Sequence, residues 1–364
     1  MINLNLNIPM KKIISIVLLI AAASFYGYGQ RKTVNIPDLP GYVTLKCDFH
    51  LHTVFSDGNV WPTVRVGEAW RDGLDAISIT DHIEYLPKED FIPVDHNAAW
   101  KIAENTARDY NLILVHGTEI TRKMPPGHMN ALFIQDASLL DLDSVMDVYA
   151  AAIKQGAFLQ WNHPGWKSQE PDGIPKIYDI HKTLIKNGWL HGIEFFNDSE
   201  YYPLVLNFCK QYNLAVMANS DNHGVISEDY REPDYTNRPM TLVFAKSRTH
   251  DALKEAMFAG RTLAYFRDMI AGREEYAKSF FYQCISVGKP FYQNDKSIYF
   301  EVTNRSDVPF YLVNGIPDAP QSITIAANGI TRVVVSRKVT SPLSYDVKNI
   351  LTGENEVLKI ELKY

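Results

Sequence analysis

The chain has 364 residues, and its 36 Lys and Arg against 42 Asp and Glu give a formal net charge of −6 at pH 7. Such a mildly acidic protein is a poor general nucleic-acid binder. Its three cysteines are too few and too scattered for a disulfide framework or a cysteine zinc site, while the length allows two domains with a large core.

The first 29 residues have the pattern of a secretory signal peptide. Lys11 and Lys12 precede the apolar run IISIVLLIAAASF, which suits a signal-peptide core and is short for a membrane span. Cleavage near Gly29 removes two lysines and no acidic residue, so the formal charge would go from −6 to −8. We expect a secreted or periplasmic protein without a membrane span after cleavage. An uncleaved single membrane anchor is the alternative.

Between residues 43 and 265, short apolar segments alternate with amphipathic helical patterns, which predicts parallel β/α architecture. The predicted strands are VTLKCDFH, LDAISIT, LILVHGTE, HMNALFI, AFLQWNH, GIEFFN, AVMANS and TLVFA. The predicted helices lie near residues 62–72, 98–109, 139–154, 176–187, 201–212 and 249–259. Thr249 is a candidate N-cap of the last helix, and Gly260 is its candidate C-terminal glycine.

After about residue 278 the pattern changes to strands without helices. The predicted strands are SIYFEVTN, FYLV, SITIAA, TRVVVS, LSYDVKN and EVLKIELK, with Asn-Gly turn signals at 314 and 328. This pattern predicts an antiparallel β-sandwich of about 85 residues. The predicted organisation is a signal peptide (1–29), a barrel domain (30–277) and a sandwich (278–364), with RDMIAGREEYAKS as a short charged link.

Polar side chains lie at the ends of the predicted barrel strands. In the segment DFHLHTVFSDG, strand alternation places Asp48, His50 and His52 on one face and Phe49 and Leu51 on the other. A single His-x-His pair is weak support for a metal site, because random placement alone gives roughly 0.3 such pairs. However, β/α barrels build their active sites at the carboxyl ends of the strands, where this pair lies.

Further strand ends continue this pattern in ITDH, GTE, PGHMN, NHP and SDNH. If the segments close a barrel, six imidazoles and three carboxylates converge. Mixed nitrogen and oxygen donors suit two or three divalent ions of the Zn, Mn or Fe type. The nine candidate ligands are His50, His52, Asp57, His82, Glu119, His128, His163, Asp221 and His223.

Other polar and aromatic residues are predicted to have supporting or structural roles. Asp48, Asp81 and Glu194 are expected to orient ligands or contact helices, with Asp48 orienting an imidazole. Structural roles are expected for the histidines of loops and helices, and His116 is expected to face outward. At least half of the aromatic residues that could line the substrate pocket are expected to pack in the core instead. The loop and helix histidines are His96, His181, His191 and His250, and the aromatic candidates are Trp161, Trp166, Phe195 and Phe196.

The motifs HLHTVFSDG, ITDH, GTE, NHP and SDNH, in this order, resemble the polymerase and histidinol phosphatase (PHP) superfamily of metal-dependent phosphoesterases. The resemblance covers residues 43–265. The segment EITRKMPPGHMNALF is further similar to the secreted Sb-PDE-type phosphodiesterase subgroup. The resemblance implies an α/β fold with a distorted (β/α)7 PHP barrel, followed here by the small C-terminal antiparallel β-sandwich domain, and a trinuclear metal site.

The resemblance also implies how the ligands are shared among the ions. His50, His52, Glu119 and Asp221 would hold one ion. Glu119 would bridge to a second ion that is held by His128 and His163. The third ion would be held by Asp57, His82 and His223, and because some members have a histidine in place of Asp57, occupancy of this third position stays open.

The implied activity is that of a secreted metal-dependent phosphoesterase acting on phosphodiesters or small phosphomonoesters by attack of a metal-bridging hydroxide. His223 or His82 is the candidate proton donor to the leaving alcohol. Arg122 is the candidate phosphate clamp, because a planar guanidinium suits bidentate phosphate contact, and Lys123 lies on the same loop. The expected partner is a small phosphate ester, and the oligomeric state is not predicted.

Two alternative functions are considered. Amidohydrolase-like metal hydrolases also open with His-x-His and close with an aspartate, but they usually bridge their metals through a modified lysine, where this chain offers Glu119. The second alternative is a non-catalytic surface or glycan-binding protein in which the sandwich binds the partner and the barrel is relict. A measured metal content below one ion per folded chain would favour the latter.

Overall fold

A computed structural model describes residues 30–230 and 237–364 of the chain. The predicted signal peptide, residues 1–29, lies outside the described residues. No helix within the described ranges is long and apolar enough to cross a membrane.

The first domain is a barrel-like sheet flanked by helices. Its strands are β1 (Val43–Asp48), β2 (Ala76–Ile79), β3 (Ile113–Ile120), β4 (Met129–Leu132), β5 (Phe158–Trp161), β6 (Leu190–Asn197), β7 (Glu200–Tyr201), β8 (Ala215–Asn219), β9 (Met240–Ala245), β10 (Thr262–Phe266) and β11 (Met269–Gly272). The helices are α1 (Pro62–Arg71), α2 (Ala98–Asp109), α3 (Val145–Lys154), α4 (Asp179–Lys186), α5 (Leu204–Tyr212), α6 (Ile226–Asp229), α7 (His250–Phe258) and α8 (Glu274–Cys284). A 3₁₀ turn, Ala137–Leu140, precedes α3.

The strands follow the order β11-β10-β9-β1-β2-β3-β4-β5-β6, and β8 also pairs with β6. The pairs β1–β2, β2–β3, β5–β6 and β6–β8 are parallel. Two strands depart from the predicted parallel arrangement, because β4 runs antiparallel to β3 and β5, and β9 runs antiparallel to β1. The short loop between β3 and β4 requires this reversal, because a parallel neighbour needs a longer crossover.

The core of the barrel follows from the composition of its strands. Every position of β2, β4, β5, β8, β9 and β10 is buried. This is the pattern of a sheet covered on both faces, which needs continuous apolar runs rather than alternation. Cys47, Cys209 and Cys284 are buried and form no disulfide, as expected from their scattered positions.

The second domain consists of two antiparallel sheets. Its strands are β12 (Ile285–Val287), β13 (Tyr292–Gln293), β14 (Ser297–Asn304), β15 (Phe310–Val313), β16 (Ser322–Ile325), β17 (Ile330–Ser336), β18 (Leu343–Gly353) and β19 (Glu356–Leu362). One sheet contains β12, β13, β14 and β17, and the other contains β15, β16, β18 and β19. Burial alternates along β16 and β19, as expected where one face packs and the other meets water. The predicted α/β fold with a C-terminal β domain is confirmed.

The two domains share a sheet and a helix. β11 pairs in parallel with β18, with Ile270 opposite Ile350. The segment predicted as a short link instead forms β11 and the beginning of α8, so the predicted boundary at 277/278 falls within a helix. Phe280 and Phe281 of α8 are fully buried, and both rings contact Phe310 of the sandwich. The sandwich is therefore continuous with the barrel.

Candidate metal centre

The structure brings all nine predicted ligands together at one edge of the barrel. Seven of them lie at or after the carboxyl ends of parallel strands β1, β2, β3, β5 and β8, and Asp57 lies in the loop after β1. His128 precedes β4, and because β4 is antiparallel, its start lies at the same edge as the other strand ends. The donor atoms form overlapping groups within 4.8 Å of one another.

One group combines the first and last predicted motifs. Nε2 of His50 lies 3.1 Å from Oδ1 of Asp221, and Nε2 of His52 lies 3.0 Å from the same oxygen. The same two nitrogens lie 3.4 and 3.5 Å from the carboxylate of Glu119. These four side chains are the set that the resemblance assigned to one ion.

Glu119 also belongs to two further groups, one with His50 and His163 and the other with His82 and His128. Oε1 of Glu119 lies 3.2 Å from Nδ1 of His128 and 3.5 Å from Nε2 of His163. Glu119 therefore faces two groups at once.

The fourth group surrounds Asp57. Its Oδ2 lies 3.4 Å from Nε2 of His82 and 3.1 Å from Nε2 of His223. His52 joins this group through its other nitrogen, since Nδ1 is 3.6 Å from Oδ1 of Asp57. The structure thus connects the first and fourth groups through one imidazole, which the sequence did not indicate.

The hydrogen bonding of this cluster fits divalent metal ions. Nε2 of His50, both ring nitrogens of His52, Oε2 of Glu119 and Oδ1 of Asp221 are buried without a hydrogen-bond partner. Buried polar atoms in folded proteins almost always have a partner. Imidazole nitrogens and carboxylate oxygens that face one another are the donors that Zn²⁺ and similar ions bind. The donor set therefore fits the ions that the sequence predicts.

The pKa values of Glu119 and His52 favour cation binding, whereas against the effect of burial the nearby carboxylates raise the pKa values of His50, His82, His163 and His223 in the metal-free chain. Although burial acts to raise the pKa of Glu119, the imidazoles of His50, His82 and His128 hold it well below its usual range. Burial, with help from His82 and His223, lowers the pKa of His52 to about 3. Near neutral pH the Glu119 carboxylate is thus ionised and the His52 imidazole is neutral, so both can donate lone pairs.

Glu194 has the supporting role that the sequence predicted. Its Oε1 lies 2.9 Å from Nδ1 of His50, and its Oε2 accepts a hydrogen bond from the backbone N–H of His163 at 2.7 Å. Asn197 and Asn219 also donate to this carboxylate. Glu194 therefore orients ligands of two groups.

Asn162 is a site residue that the sequence analysis missed. Its Nδ2 donates to Oε1 of Glu119 at 2.8 Å and to Oδ1 of Asn130 at 2.9 Å. Its position beside His163 at a strand end is the sequence feature that could have identified it as a site residue.

The prediction that Asp48 orients an imidazole is wrong. Its carboxylate instead accepts hydrogen bonds from Ser220 and from Nη1 of Arg238. It also accepts the backbone N–H of His50 at 3.4 Å, so its contact with that ligand is through the main chain rather than through the imidazole. Asp81 likewise binds the loop after His52, through Thr53 and Ser56.

A cavity of about 900 Å³ lies above the cluster. Asp57, His82, Glu119, His128, His163, Asp221 and His223 line it, together with Tyr85, Lys123, Met124, Trp166, Asp198 and Glu200. His50 and His52 lie beneath it and are fully buried. Trp166 is 40% exposed, whereas Trp161, Phe195 and Phe196 belong to the core, in agreement with the expectation for at least half of them.

Arg122, the predicted phosphate clamp, is not among the residues that line this cavity. Its Nε lies 2.9 Å from Oε1 of Glu84, and Nη2 donates to the carbonyl oxygen of Leu142 at 2.6 Å. The neighbouring Lys123 lines the cavity instead. Sequence position on the loop did not reveal which of the two side chains points inward.

The other histidines lie outside the donor groups found in the described residues. His181 stacks on Trp161 at 4.1 Å, and its Nε2 lies 2.7 Å from the carbonyl oxygen of Pro126. His116 stacks on Trp100 of helix α2 at 4.5 Å, which places it on the outward, helix-facing side as expected. His96, His191 and His250 are likewise absent from the donor groups of the described residues, and Nδ1 of His191 accepts a hydrogen bond from the backbone N–H of Leu159.

Comparison with known proteins covers both domains. A family model described as an Ig-like domain matches residues 285–363. A crystal structure from Bacteroides vulgatus, of a two-domain protein containing a predicted PHP-like metal-dependent phosphoesterase, is 38% identical and covers 93% of this chain and 100% of that chain, with a TM-score of 0.89. An uncharacterized protein of Methanocaldococcus jannaschii is 24% identical over 208 residues, which is 53% of this chain and 88% of that protein.

Proposed function

Because this chain belongs to the family of two-domain proteins with a PHP-like metal-dependent phosphoesterase domain, we propose that it hydrolyses phosphate esters at the cluster around Glu119. The observation that carries the proposal is the set of buried, unpartnered donor atoms of His50, His52, Glu119 and Asp221 beneath a wide cavity. The proposed substrates are phosphodiesters or small phosphomonoesters.

The proposed cofactors are two or three divalent ions of the Zn, Mn or Fe type. When bound, they would supply the Lewis acidity that activates water and withdraws charge from the phosphoryl oxygens. His50, His52, Glu119 and Asp221 would hold one ion, and Glu119, His128 and His163 would hold the second. Two divalent ions would contribute +4 against the −3 of Asp57, Glu119 and Asp221, so a phosphate anion would bind at the ions themselves although Asp198 and Glu200 also line the cavity.

His223 is the proposed proton donor to the leaving alcohol. Its side chain is 38% exposed, more than the other five candidate imidazoles, and it lines the cavity. Burial acts to lower its pKa, but Asp57 and Asp221 outweigh that effect and raise it, which favours the protonated imidazole in the metal-free chain. This role excludes binding of a third ion by His223, so it belongs to the enzyme with two ions.

His82 is the less suitable proton donor. Its side chain is 6% exposed, and Nδ1 lies 2.6 Å from Oγ1 of Thr121 and 2.9 Å from Oε2 of Glu119. The hydrogen bond between Nδ1 and Thr121 holds the ring in place. In the enzyme with three ions, His82 would act as a ligand together with Asp57 and His223.

Lys123 is the proposed phosphate contact in place of Arg122. Lys123 is exposed and lines the cavity, whereas Glu84 and Leu142 hold the Arg122 guanidinium. An ammonium group acts on phosphate as a point charge and does not require the bidentate geometry of arginine. Tyr85 and Trp166 are proposed to contact the ester substituents, since both are exposed at the same cavity.

Export of the protein remains a part of this proposal. It depends on the signal-peptide pattern of residues 1–29 and on the resemblance of EITRKMPPGHMNALF to the secreted Sb-PDE-type subgroup. N-terminal sequencing of the protein from a cell fraction outside the cytoplasm should find a start near Gln30. A start at Met1 in every fraction would contradict cleavage.

The activity is tested with bis(p-nitrophenyl) phosphate and p-nitrophenyl phosphate. The full chain is stripped with a chelator and supplied with Mn²⁺ or Zn²⁺, and p-nitrophenol release is followed between neutral and alkaline pH. We expect turnover of at least one substrate that depends on added metal and is lost in Glu119→Gln. Absence of metal-dependent turnover of both substrates would overturn the proposal.

A further inference from the structure

A buried arginine binds the backbone of both segments that carry the first and last ligand motifs. Arg65 lies in α1, and it is 0% exposed. Its Nε donates to the carbonyl oxygen of His52 at 2.9 Å, and its Nη2 donates to that of Asn222 at 2.8 Å. Asn222 lies between Asp221 and His223. One guanidinium therefore connects the backbone beside three candidate ligands.

The connection matters because no strand pairing in the described residues joins β1 directly to β8. β1 pairs with β2 and β9, whereas β8 pairs with β6. Beyond the strand ends there is one isolated bridge, between Leu51 and Asn222, and the backbone N–H of His52 donates to the carbonyl oxygen of Asn222 at 3.1 Å. Without a ladder, individual hydrogen bonds fix the relative position of these segments. At the strand ends Ser220 donates to Asp48 and the backbone N–H of Phe49 donates to Asn219, and further along, beside the ligands, Arg65 binds both segments.

Packing alone does not explain a charge at position 65. Burying a guanidinium has a large desolvation cost, and an apolar side chain of similar volume would fill the same space without it. Here Nη1 donates to Oε2 of Glu68 at 2.8 Å and to Oδ1 of Asn222 at 2.7 Å. Glu68 in turn accepts the backbone N–H of Ile226 through its other oxygen. The planar guanidinium donates several hydrogen bonds in fixed directions, which a lysine ammonium group cannot do.

We propose that Arg65 is a positioning residue that sets the distance between the imidazole of His52 and the donors of Asp221 and His223. Nε2 of His52 lies 3.0 Å from Oδ1 of Asp221, and its ring stacks on that of His223 at 4.2 Å. A shift of either segment changes both contacts. Loss of a group that orients metal ligands typically lowers metal affinity by about 10- to 100-fold.

The test compares two conservative variants of buried arginines. Arg65→Lys retains the charge but cannot reach both carbonyl oxygens in one plane. The matched control is Arg261→Lys, because Arg261 is 7% exposed and binds the carbonyl oxygen of Phe244 and the carboxylate of Glu255, none of them a candidate ligand. Each full chain is stripped with a chelator and titrated with Co²⁺. Affinity is measured by chelator competition, coordination geometry by the visible ligand-field spectrum, and stability by thermal unfolding of the metal-free chain.

Arg65→Lys should bind Co²⁺ at least about 10-fold more weakly, with an altered spectrum, whereas Arg261→Lys should bind as the unmodified chain does. Unchanged affinity and spectrum in Arg65→Lys would overturn the proposal. So would an equal loss of affinity in Arg261→Lys, because the effect would then follow general stability.

If Arg65→Lys does not fold, Arg65→Gln is the second test, since its amide can donate to one of the two carbonyl oxygens but not to both. A several-fold weaker affinity for Co²⁺ supports the proposal, and an unchanged affinity overturns it. Co²⁺ binding is measured without substrate. A chain that binds metal but hydrolyses no phosphate ester would therefore contradict the proposed activity and not the role of Arg65.

Discussion

Oε1 of Glu119 lies 3.2 Å from Nδ1 of His128, although one residue belongs to β3 and the other to the loop that leads into β4. The same oxygen lies 3.4 Å from Nε2 of His50. One carboxylate therefore faces two donor groups. This relationship makes Glu119 the side chain whose loss should affect both of the proposed ions.

Glu119→Gln should lower the number of bound ions per chain by at least one. Glutamine retains the shape of the side chain but cannot provide two anionic oxygens, and its amide N–H groups would face imidazole nitrogens. We expect a loss of metal affinity beyond about 100-fold, because even groups that only orient ligands are worth 10- to 100-fold. Metal content per folded chain is measured by elemental analysis after dialysis. Glu104→Gln, at an exposed position of α2, is the control, and equal metal content in the two variants would contradict the prediction.

Asp57→Asn should lower the pKa of His223 in the metal-free chain. Burial lowers that pKa, and the hydrogen bond and charge of Asp57, with Asp221, raise it, so removing the Asp57 charge leaves burial less opposed. The His223 ring signal is followed by NMR through a pH titration in the presence of a chelator. Asp198→Asn is the control, because Asp198 lines the same cavity and accepts a hydrogen bond from Tyr230. An unchanged midpoint in Asp57→Asn would show that Asp57 does not set the protonation of His223.

Most of the barrel and its site could be predicted because both depend on local patterns. Apolar runs bounded by turn signals predict buried strands wherever a sheet is covered on both faces, as for β5 and β8. The N-cap of α7 was also visible, and Oγ1 of Thr249 accepts a hydrogen bond from the backbone N–H of Ala252. The carboxyl ends of strands meet at one edge, so polar residues at those ends could be grouped from the sequence.

The features that were missed depend on contacts between distant segments. The charged sequence around Glu274 and Glu275 indicated a link, but these residues begin α8, whose buried Phe280 and Phe281 pack on the sandwich. Nothing local marks the parallel pairing of β11 with β18. Arg122 illustrates the same limit, because its contact with Glu84 requires knowledge of how two loops meet.

His116 should make the barrel less stable as the pH falls below about 6.5. Burial lowers the pKa of its imidazole to about 4, from an ordinary value of 6.5. Between these values the unfolded chain binds a proton that the folded chain does not, so stability is complete above 6.5 and is lost as the pH falls toward 4.

The test is urea unfolding of His116→Phe and of the unmodified chain at several pH values between 7.5 and 4.5. Relative to the unmodified chain, the free energy of unfolding of His116→Phe should rise by up to about 1.4 kcal/mol for each pH unit below 6.5. His116→Gln separates titration from stacking on Trp100, since it also lacks the titrating group. A pH-independent difference for both variants would contradict this account.

Asn349 should stabilise the contact between the barrel and the sandwich. Its Nδ2 donates to the carbonyl oxygens of Asp268 at 2.6 Å and Pro309 at 2.8 Å, and its Oδ1 accepts the backbone N–H of Tyr311 at 3.2 Å. It is 7% exposed, so alanine would leave these backbone groups without partners. Each unsatisfied buried group costs about 1–3 kcal/mol.

Asn349→Ala should therefore lower the midpoint of thermal unfolding while leaving a single transition. A single transition is expected because β11 and β18 share a sheet, and because Phe280 and Phe281 would be exposed if the sandwich unfolded alone. Asn294→Ala, in an exposed turn of the sandwich, is the matched control and should change the midpoint less. For the same reason, a chain that ends at residue 284 should be insoluble or lose its fold, because it lacks the strand that pairs with β11. Two separate transitions in the full chain, or a soluble and active barrel without residues 285–364, would show that the sandwich is an independent appendage.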